Sequence, residues 1–356
     1  MKIYQLLDNP FSPSINPYLS TLMNEISRQH EEIEWMYGFD RFWSNEVLQC
    51  DIIHIHCPDT LVSKDTSNDI VDRFCERIKQ LKDLGKIIVV TCHNLEPHYS
   101  NDYRKISLYS IAYQNAQVFI HLGMYSLQIL SKKYPSSKHV LIPHHAYDTI
   151  YKHKYDRDIC CKKLHLNPSK RYILCFGVFR DNEERVIADS VAQEFYHQGV
   201  EVLAPRYYKI GSKRNIIKYA KQWLVCRFTE IKHPGLHIYG KYVSNELLPY
   251  FFGASDITLI QRNKILNSGN LALGFYFGNV VVGPNIGNVG EILKETNNPI
   301  FEPNDRTSLL KSIKDAIVIS KKGKGEENRL YAVNNFSTRF VSEQLYGVYK
   351  SIFEYN

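Results

Sequence analysis

Short apolar runs alternate with helical stretches along almost the whole chain, and this rhythm restricts the fold more than any other feature. In the first half the expected strands are Lys2–Leu7, Asp51–His56, Ile87–Cys92, Gln117–His121 and His139–Pro143. Helical segments fill the gaps at Pro17–Arg28, Ser67–Leu84 and Tyr125–Lys133. Strands buried on both faces read as unbroken apolar runs, and helical crossovers join such strands in parallel. The pattern predicts an α/β chain whose parallel sheets are covered on both faces. The rhythm lapses between Tyr147 and Arg171, a stretch rich in Lys, Asp and His, so the interdomain linker is placed there. It resumes with strand Tyr172–Phe176, helix Glu183–Gln198, strands Glu201–Ala204 and Leu236–Tyr239, and helix Asn245–Gly253. Strand Asp256–Ile260, helix Gly269–Phe277, strand Val280–Gly283 and helix Asp305–Ile319 follow, with a terminal helix over Ser337–Phe353. A length of 356 residues suits two such domains, expected at 1–150 and 165–336, with 337–356 packing back on the first.

Composition narrows the class. The eight cysteines form no CxxC pair and read as reduced thiols. Met1–Asp8 reaches an acid too early for a secretory h-region, and no run of apolar residues is long enough to span a membrane. The expectation is a cytoplasmic protein. A net charge of +7 fits either a slightly basic soluble enzyme or one that docks at the inner face of a membrane or on a polyanion.

Doubly wound domains place ligands beyond the carboxyl ends of their strands, so chemistry is sought in the loops there. Asn267-Ser268-Gly269-Asn270 separates a strand from an apolar helix. Its small residues let a ligand approach the backbone, and the first amides of the helix, with the helix dipole, favour a diphosphate. The same residues also suit a plain N-cap turn.

Around this loop the segment Leu236–Leu293 resembles the donor-binding domain of glycosyltransferase family 4 (glycosyl transferases group 1), enzymes of GT-B fold. The matching features are the strand ending in Tyr239-Gly240, helix Glu246–Phe252, Ala254-Ser255-Asp256, the Ser268-Gly269 turn, Gly278, Val280–Val282 and the Gly287–Glu291 turn. The resemblance implies two Rossmann-like domains facing a central cleft that binds a nucleoside diphosphate sugar. It implies transfer of a hexose to a glycan or lipid-linked glycan hydroxyl, with retention of configuration, in surface polysaccharide assembly. It also implies no cofactor and no metal. One departure matters. The family's paired glutamates, which touch the donor sugar and ribose, correspond here to Ile265 and Leu273. Asn267 and Asn270 are then the candidates for those contacts, and Glu291 matches a separate family glutamate.

In similar enzymes a basic pair after the first strand of the second domain neutralises the departing diphosphate. In Phe176-Gly177-Val178-Phe179-Arg180, Arg180 matches the arginine, while Arg185 stands out of register for its partner. The donor set is therefore Gly177, Arg180, Asn267, Ser268, Gly269, Asn270 and Glu291. In the first domain His93 matches a histidine beside the transferred sugar, and Glu96 could orient or deprotonate an incoming hydroxyl. His93, Glu96 and Arg180 are the catalytic candidates; His98 and Asn16, the latter after the first strand, are acceptor candidates. Any of these histidines could instead be a hydrogen-bonded structural residue. His144 and His145 should point opposite ways if extended, and with no HxxxH helix no metal site is expected.

Arg206–Lys232 interleaves Arg206, Lys209, Lys213, Arg214, Lys218, Lys221, Arg227 and Lys232 with tyrosines, Trp223 and aliphatics, against Glu230 alone. It suits a solvated helix or one lying on an anionic membrane, and no nucleic-acid module accompanies it. Two other classes stay open: a sugar-nucleotide epimerase, which should carry more cleft carboxylates, and a non-catalytic GT-B-like partner, supported by Ile265 and Leu273.

Overall fold

A computed structural model describes residues 1–13, 15–97, 101–208, 216–239 and 243–354, with backbone alone at 216–219. The chain divides into two compact units, Met1–Tyr147 with Ser337–Asn356, and Asp148–Phe336.

The first unit runs β1 (Lys2–Leu6), α1 (Tyr18–Gln29), β2 (Glu34–Tyr37), α2 (Phe39–Trp43), β3 (Ile52–Ile55), α3 (Ile70–Asp83), β4 (Ile87–Cys92), α4 (Tyr103–Asn115), β5 (Val118–His121), α5 (Met124–Lys133) and β6 (Lys138–Leu141). All strand pairs are parallel, in the order β2-β1-β3-β4-β5-β6. Ile3, Ile52 and Ile87 align across three strands, so a one-residue slip would turn the core-facing sets of those strands away from it. The sequence rhythm does not expose β2. Its four residues Glu-Trp-Met-Tyr form an edge strand with an exposed or half-buried pattern, so it carries no apolar run.

The second unit runs α6 (Arg157–Leu164), β7 (Arg171–Leu174), α7 (Asn182–Phe195), β8 (Val200–Leu203), α8 (Ile216–Lys232), β9 (Leu236–His237), α9 (Leu248–Ala254), β10 (Ile257–Leu259), α10 (Gly269–Phe277), β11 (Val280–Pro284), α11 (Gly287–Glu295), β12 (Ile300–Phe301), α12 (Arg306–Ser320) and α13 (Lys324–Asn335). Its parallel order is β12-β11-β10-β7-β8-β9, the doubly wound 3-2-1-4-5-6 arrangement.

The stretch expected as linker is corrected here: the second unit starts at Asp148, not 165, because α6 packs into it. Cys160 and Cys161 are fully buried, and a β-carbon on Gly253 of α9 would meet Cys160 Sγ at 2.6 Å. Cysteine supplies the apolar face of this short helix, and charged residues around it hide the period. All eight cysteines are free thiols. The final helix, α14 (Thr338–Glu354), belongs to the first unit, where Val341, Leu345, Val348, Tyr349 and Ile352 pack with Leu22 and Ile26 of α1. That is helical spacing on one face.

Candidate functional site

The second unit reverses its strand order between β7 and β10, and their carboxyl ends carry a polar network. Gly177, at φ +105°, turns the chain just after β7. A β-carbon there would lie 3.5 Å from Asn270 Nδ2 and 3.6 Å from Arg262 Nη2, so the ends of β7 and β10 and the start of α10 meet at this glycine. Asn270 Nδ2 donates to the Phe176 carbonyl (2.6 Å), and Arg262 Nη2 donates to that of Val178 (3.4 Å). Glu184, in the first turn of α7, joins the network from below. Its Oε1 accepts from Arg262 Nη1 (3.1 Å) and its Oε2 from the Arg180 backbone N–H (2.9 Å). Glu184 and Arg262 are both buried. Burial pushes the Glu184 carboxyl above its usual range, and the Arg180 amide and Arg262 guanidinium pull it back down. The pair thus clamps the turn that presents Arg180, whose side chain is exposed.

Two helices begin at this end of the sheet without a side-chain cap: α10 after Ser268 and α11 after Ile286. The neighbouring α7 differs, because Asp181 caps it by accepting from the Glu184 amide (2.9 Å). The α10 start, whose first residues are half-buried, offers its dipole to an anion, whereas α11 begins buried against the Ile265–Leu266 backbone, with the Val289 amide donating to the Leu266 carbonyl (3.3 Å). The turns before them are locked together. Gly287, at φ +59°, would place a β-carbon 2.7 Å from the Ile265 carbonyl oxygen, and Asn288 Nδ2 donates to Asn267 Oδ1 (2.7 Å). Replacing Gly287 by alanine should cost about 1–3 kcal/mol from overpacking and left-handed strain, read as a lower urea midpoint.

These positions sharpen the sequence expectations. Asn270, Arg262, Glu184 and the Arg180 amide bond to or around the turn at Gly177, while Asn267, Ser268 and Gly269 form the adjoining turn. Asn270 already spends its Nδ2 on the Phe176 carbonyl and Asn267 its Oδ1 on the Asn288 side chain. Glu291 lies in the second turn of α11, not at its start. Leu273 is buried and Ile265 half-buried, and neither offers a hydrogen-bonding atom. Arg185 donates to the Asp181 carbonyl (2.9 Å) and lies over Tyr207 and Tyr208, so it is committed elsewhere. The cation nearest Gly177 is instead Arg262, which the sequence reading passes over. Its signal is the polar run Gln261-Arg262-Asn263 directly after β10.

In the first unit the strand ends carry histidines. Gln5 sets the direction of a buried chain of hydrogen bonds. Its Nε2 donates to Tyr349 Oη (3.2 Å), which donates to His54 Nδ1 (2.6 Å), and His54 Nε2–H donates to Thr91 Oγ1 (2.8 Å). Gln5 Oε1 accepts from His56 Nε2 (2.9 Å), so His56 Nδ1 accepts from His93 Nε2–H (3.1 Å). His93 is thereby assigned the tautomer whose Nδ1 is the basic nitrogen. Tyr18 stands edge-on to His93 at 5.2 Å. His144 and His145 do not diverge as an extended pair would: both rings lie against Tyr18, at 4.6 and 4.9 Å. Asn16 Oδ1 accepts from the Tyr18 amide (3.0 Å) and Tyr147 Oη (2.8 Å), which ties the loop after β1 to this cluster. Glu96 is exposed three residues beyond His93, and His98 lies outside the described residues. Among the described residues no group of three His, Cys, Asp or Glu is arranged to hold a metal ion.

Burial holds these imidazoles neutral. It lowers His54 to about 3 and His144 to about 4, and puts His56, His93 and His145 well below the usual value, with neighbouring histidines adding to the effect for His54, His56, His93 and His145. Outside this cluster, His121 is lowered to about 4, again by burial first and then by His139. Below an unfolded pKa of about 6.5 the unfolded chain binds more protons than the folded one, so stability falls as pH drops. The contribution is complete above about pH 6.5 and is lost progressively toward pH 4 and below, at up to about 1.4 kcal/mol per pH unit for each such histidine. Thermal melts at neutral and mildly acid pH should show a marked acid destabilisation, reduced in His54→Phe.

No sequence-family model matches the chain, and no curated protein matches it. Solved structures do. Sucrose-phosphate synthase from Thermosynechococcus elongatus is 13% identical over the full length of both chains, with a TM-score of 0.71. HepE of Anabaena, in complex with UDP-glucose, is 12% identical over 99% of this chain and 100% of its own, TM-score 0.68. A putative UDP-N-acetylglucosamine 2-epimerase from Listeria monocytogenes is 12% identical over 100% of this chain and 97% of its own, TM-score 0.63. The likeness spans the whole chain and establishes its class: a GT-B fold of two Rossmann-like units. At these identities the particular protein within that class is a matter for its own residues.

Proposed function

We propose that this chain is a glycosyltransferase that moves a hexose from a nucleoside diphosphate sugar to a hydroxyl of a glycan or lipid-linked glycan, as in surface polysaccharide assembly. The observation that carries this reading is the meeting of Arg262 and Asn270 at Gly177, beside the uncapped start of α10 and the turn that presents Arg180. That arrangement suits a diphosphate. Small residues admit it, amides and helix dipoles favour its charge, and Arg180 can grip its oxygens bidentately as charge develops on the leaving group. HepE, a protein of the same fold, is described with UDP-glucose bound, which supports a nucleotide sugar as ligand.

In the first unit, a neutral His93 with a basic Nδ1 can accept a hydrogen bond from a sugar hydroxyl. In the retaining scheme the donor phosphate oxygen takes the acceptor proton on the face the leaving group departs, and no protein nucleophile is required. Protein cations take the diphosphate charge, so no metal or cofactor is invoked. The donor contacts normally made by paired carboxylates fall to backbone, Asn267 and Asn270.

The test is incubation with a panel of nucleoside diphosphate sugars, with and without glycan acceptors, following nucleoside diphosphate release and the anomeric proton coupling of the product. A new glycosidic bond with the donor's configuration supports the proposal. Epimerised sugar nucleotide without transfer would replace it with the epimerase reading. No turnover and no binding across the panel would leave a non-catalytic protein.

A further inference from the structure

Helix α8 is built the wrong way round for a helix whose only task is to cover a sheet. One face docks into the second unit. Cys226 is buried in its core, Thr229 Oγ1 bonds Tyr208 Oη (2.9 Å), and Glu230 accepts from the Ile238 amide (2.7 Å). The opposite face should then be polar. It is not. Leu224, Phe228 and Ile231, spaced to share one side of the helix, are 46%, 67% and 76% exposed, with Trp223 and Val225 at 47% on the flanks. Lys221, Arg227 and Lys232 are exposed around this stripe. Arg227 lies over Trp223 and pairs with Glu230, so the helix's one carboxylate is already neutralised.

We propose that α8 is a membrane-docking helix that lies in the interface of a bilayer rich in anionic lipid. An apolar stripe edged by cations whose aliphatic stems can lie along it is the arrangement an interfacial helix needs: the stripe enters the acyl boundary while the charges meet headgroup phosphates. The one-sided charge selects an anionic surface over a second copy of this chain, since two such faces brought together would oppose Lys221 and Lys232 with like charges. No helix among the described residues is long and apolar enough to cross a membrane, so the attachment is to one leaflet. It would hold the enzyme where a lipid-linked acceptor resides.

The full-length protein is sedimented with vesicles of phosphatidylcholine alone or with about one third phosphatidylglycerol. It should pellet with the anionic vesicles only, release as salt rises, and lose affinity about tenfold or more in Phe228→Ser/Ile231→Ser and severalfold in Lys221→Glu. These positions are exposed, and unchanged melting temperatures would confirm intact folding. Equal pelleting of wild type and variants would overturn the assignment. So would self-association that the same substitutions abolish, with no vesicle binding. Vesicle binding needs no nucleotide sugar, so this result and the donor-binding result can fail separately.

Discussion

Glu184→Ala should lower the unfolding free energy by about 3–5 kcal/mol, a larger loss than any single surface contact could cause. The substitution takes the Glu184 carboxylate away from the Arg262 guanidinium, only 8% exposed, and removes the acceptor of the Arg180 amide. Taking a carboxylate from a buried guanidinium is the costly part, so the reverse deletion should be milder. Removing Arg262 leaves a carboxyl that burial already pushes toward its neutral form. Glu184→Ala/Arg262→Leu should therefore recover part of the loss, because the buried charge is gone while a cavity and the lost acceptor of the Arg180 amide remain. Denaturant midpoints for the two single variants and the double variant measure this. Equal destabilisation by either single change would mean that the pair matters for its packing and not for its charge.

Arg180→Ala should lower the turnover number about 10²–10³-fold, the usual cost of removing a preorganised group that stabilises charge in a transition state. Its side chain is exposed at the end of a turn whose backbone is held independently through Glu184, so the fold should be untouched. The loss should appear in kcat as well as kcat/KM, because charge on the diphosphate grows as the glycosidic bond breaks. Arg180→Lys should fall between, since an ammonium keeps the charge but loses the bidentate fork. Steady-state rates at saturating acceptor distinguish these outcomes. A change confined to KM would reduce Arg180 to a ground-state contact.

Much of the fold is legible in the sequence because parallel strands are buried on both faces. Ile52–Ile55 and Ile87–Cys92 announce themselves as apolar runs. Edge strand β2 and helix α6 do not, since one is half exposed and the other buries only cysteines on its core side. The candidate site divides the same way. Glycine and small-residue turns after strands can be read locally, so Gly177 and Ser268-Gly269 stand out. Arg262 and Glu184 lie 78 residues apart in sequence, and only the reversal of strand order at β7 and β10 brings them together. In the first unit His93 can be picked out by position. Its tautomer depends on Gln5, His56 and a tyrosine of the last helix, which no spacing rule connects.

The most direct measurement is calorimetric titration of the full-length protein with UDP-, GDP- and other nucleoside diphosphate sugars, repeated on Arg180→Ala and Gly269→Trp. One donor should bind and raise the melting temperature as mass action requires, with affinity reduced about tenfold or more in Arg180→Ala and abolished by the indole at the start of α10. Binding of a nucleotide sugar with unchanged affinity in both variants would place the donor elsewhere and contradict the account.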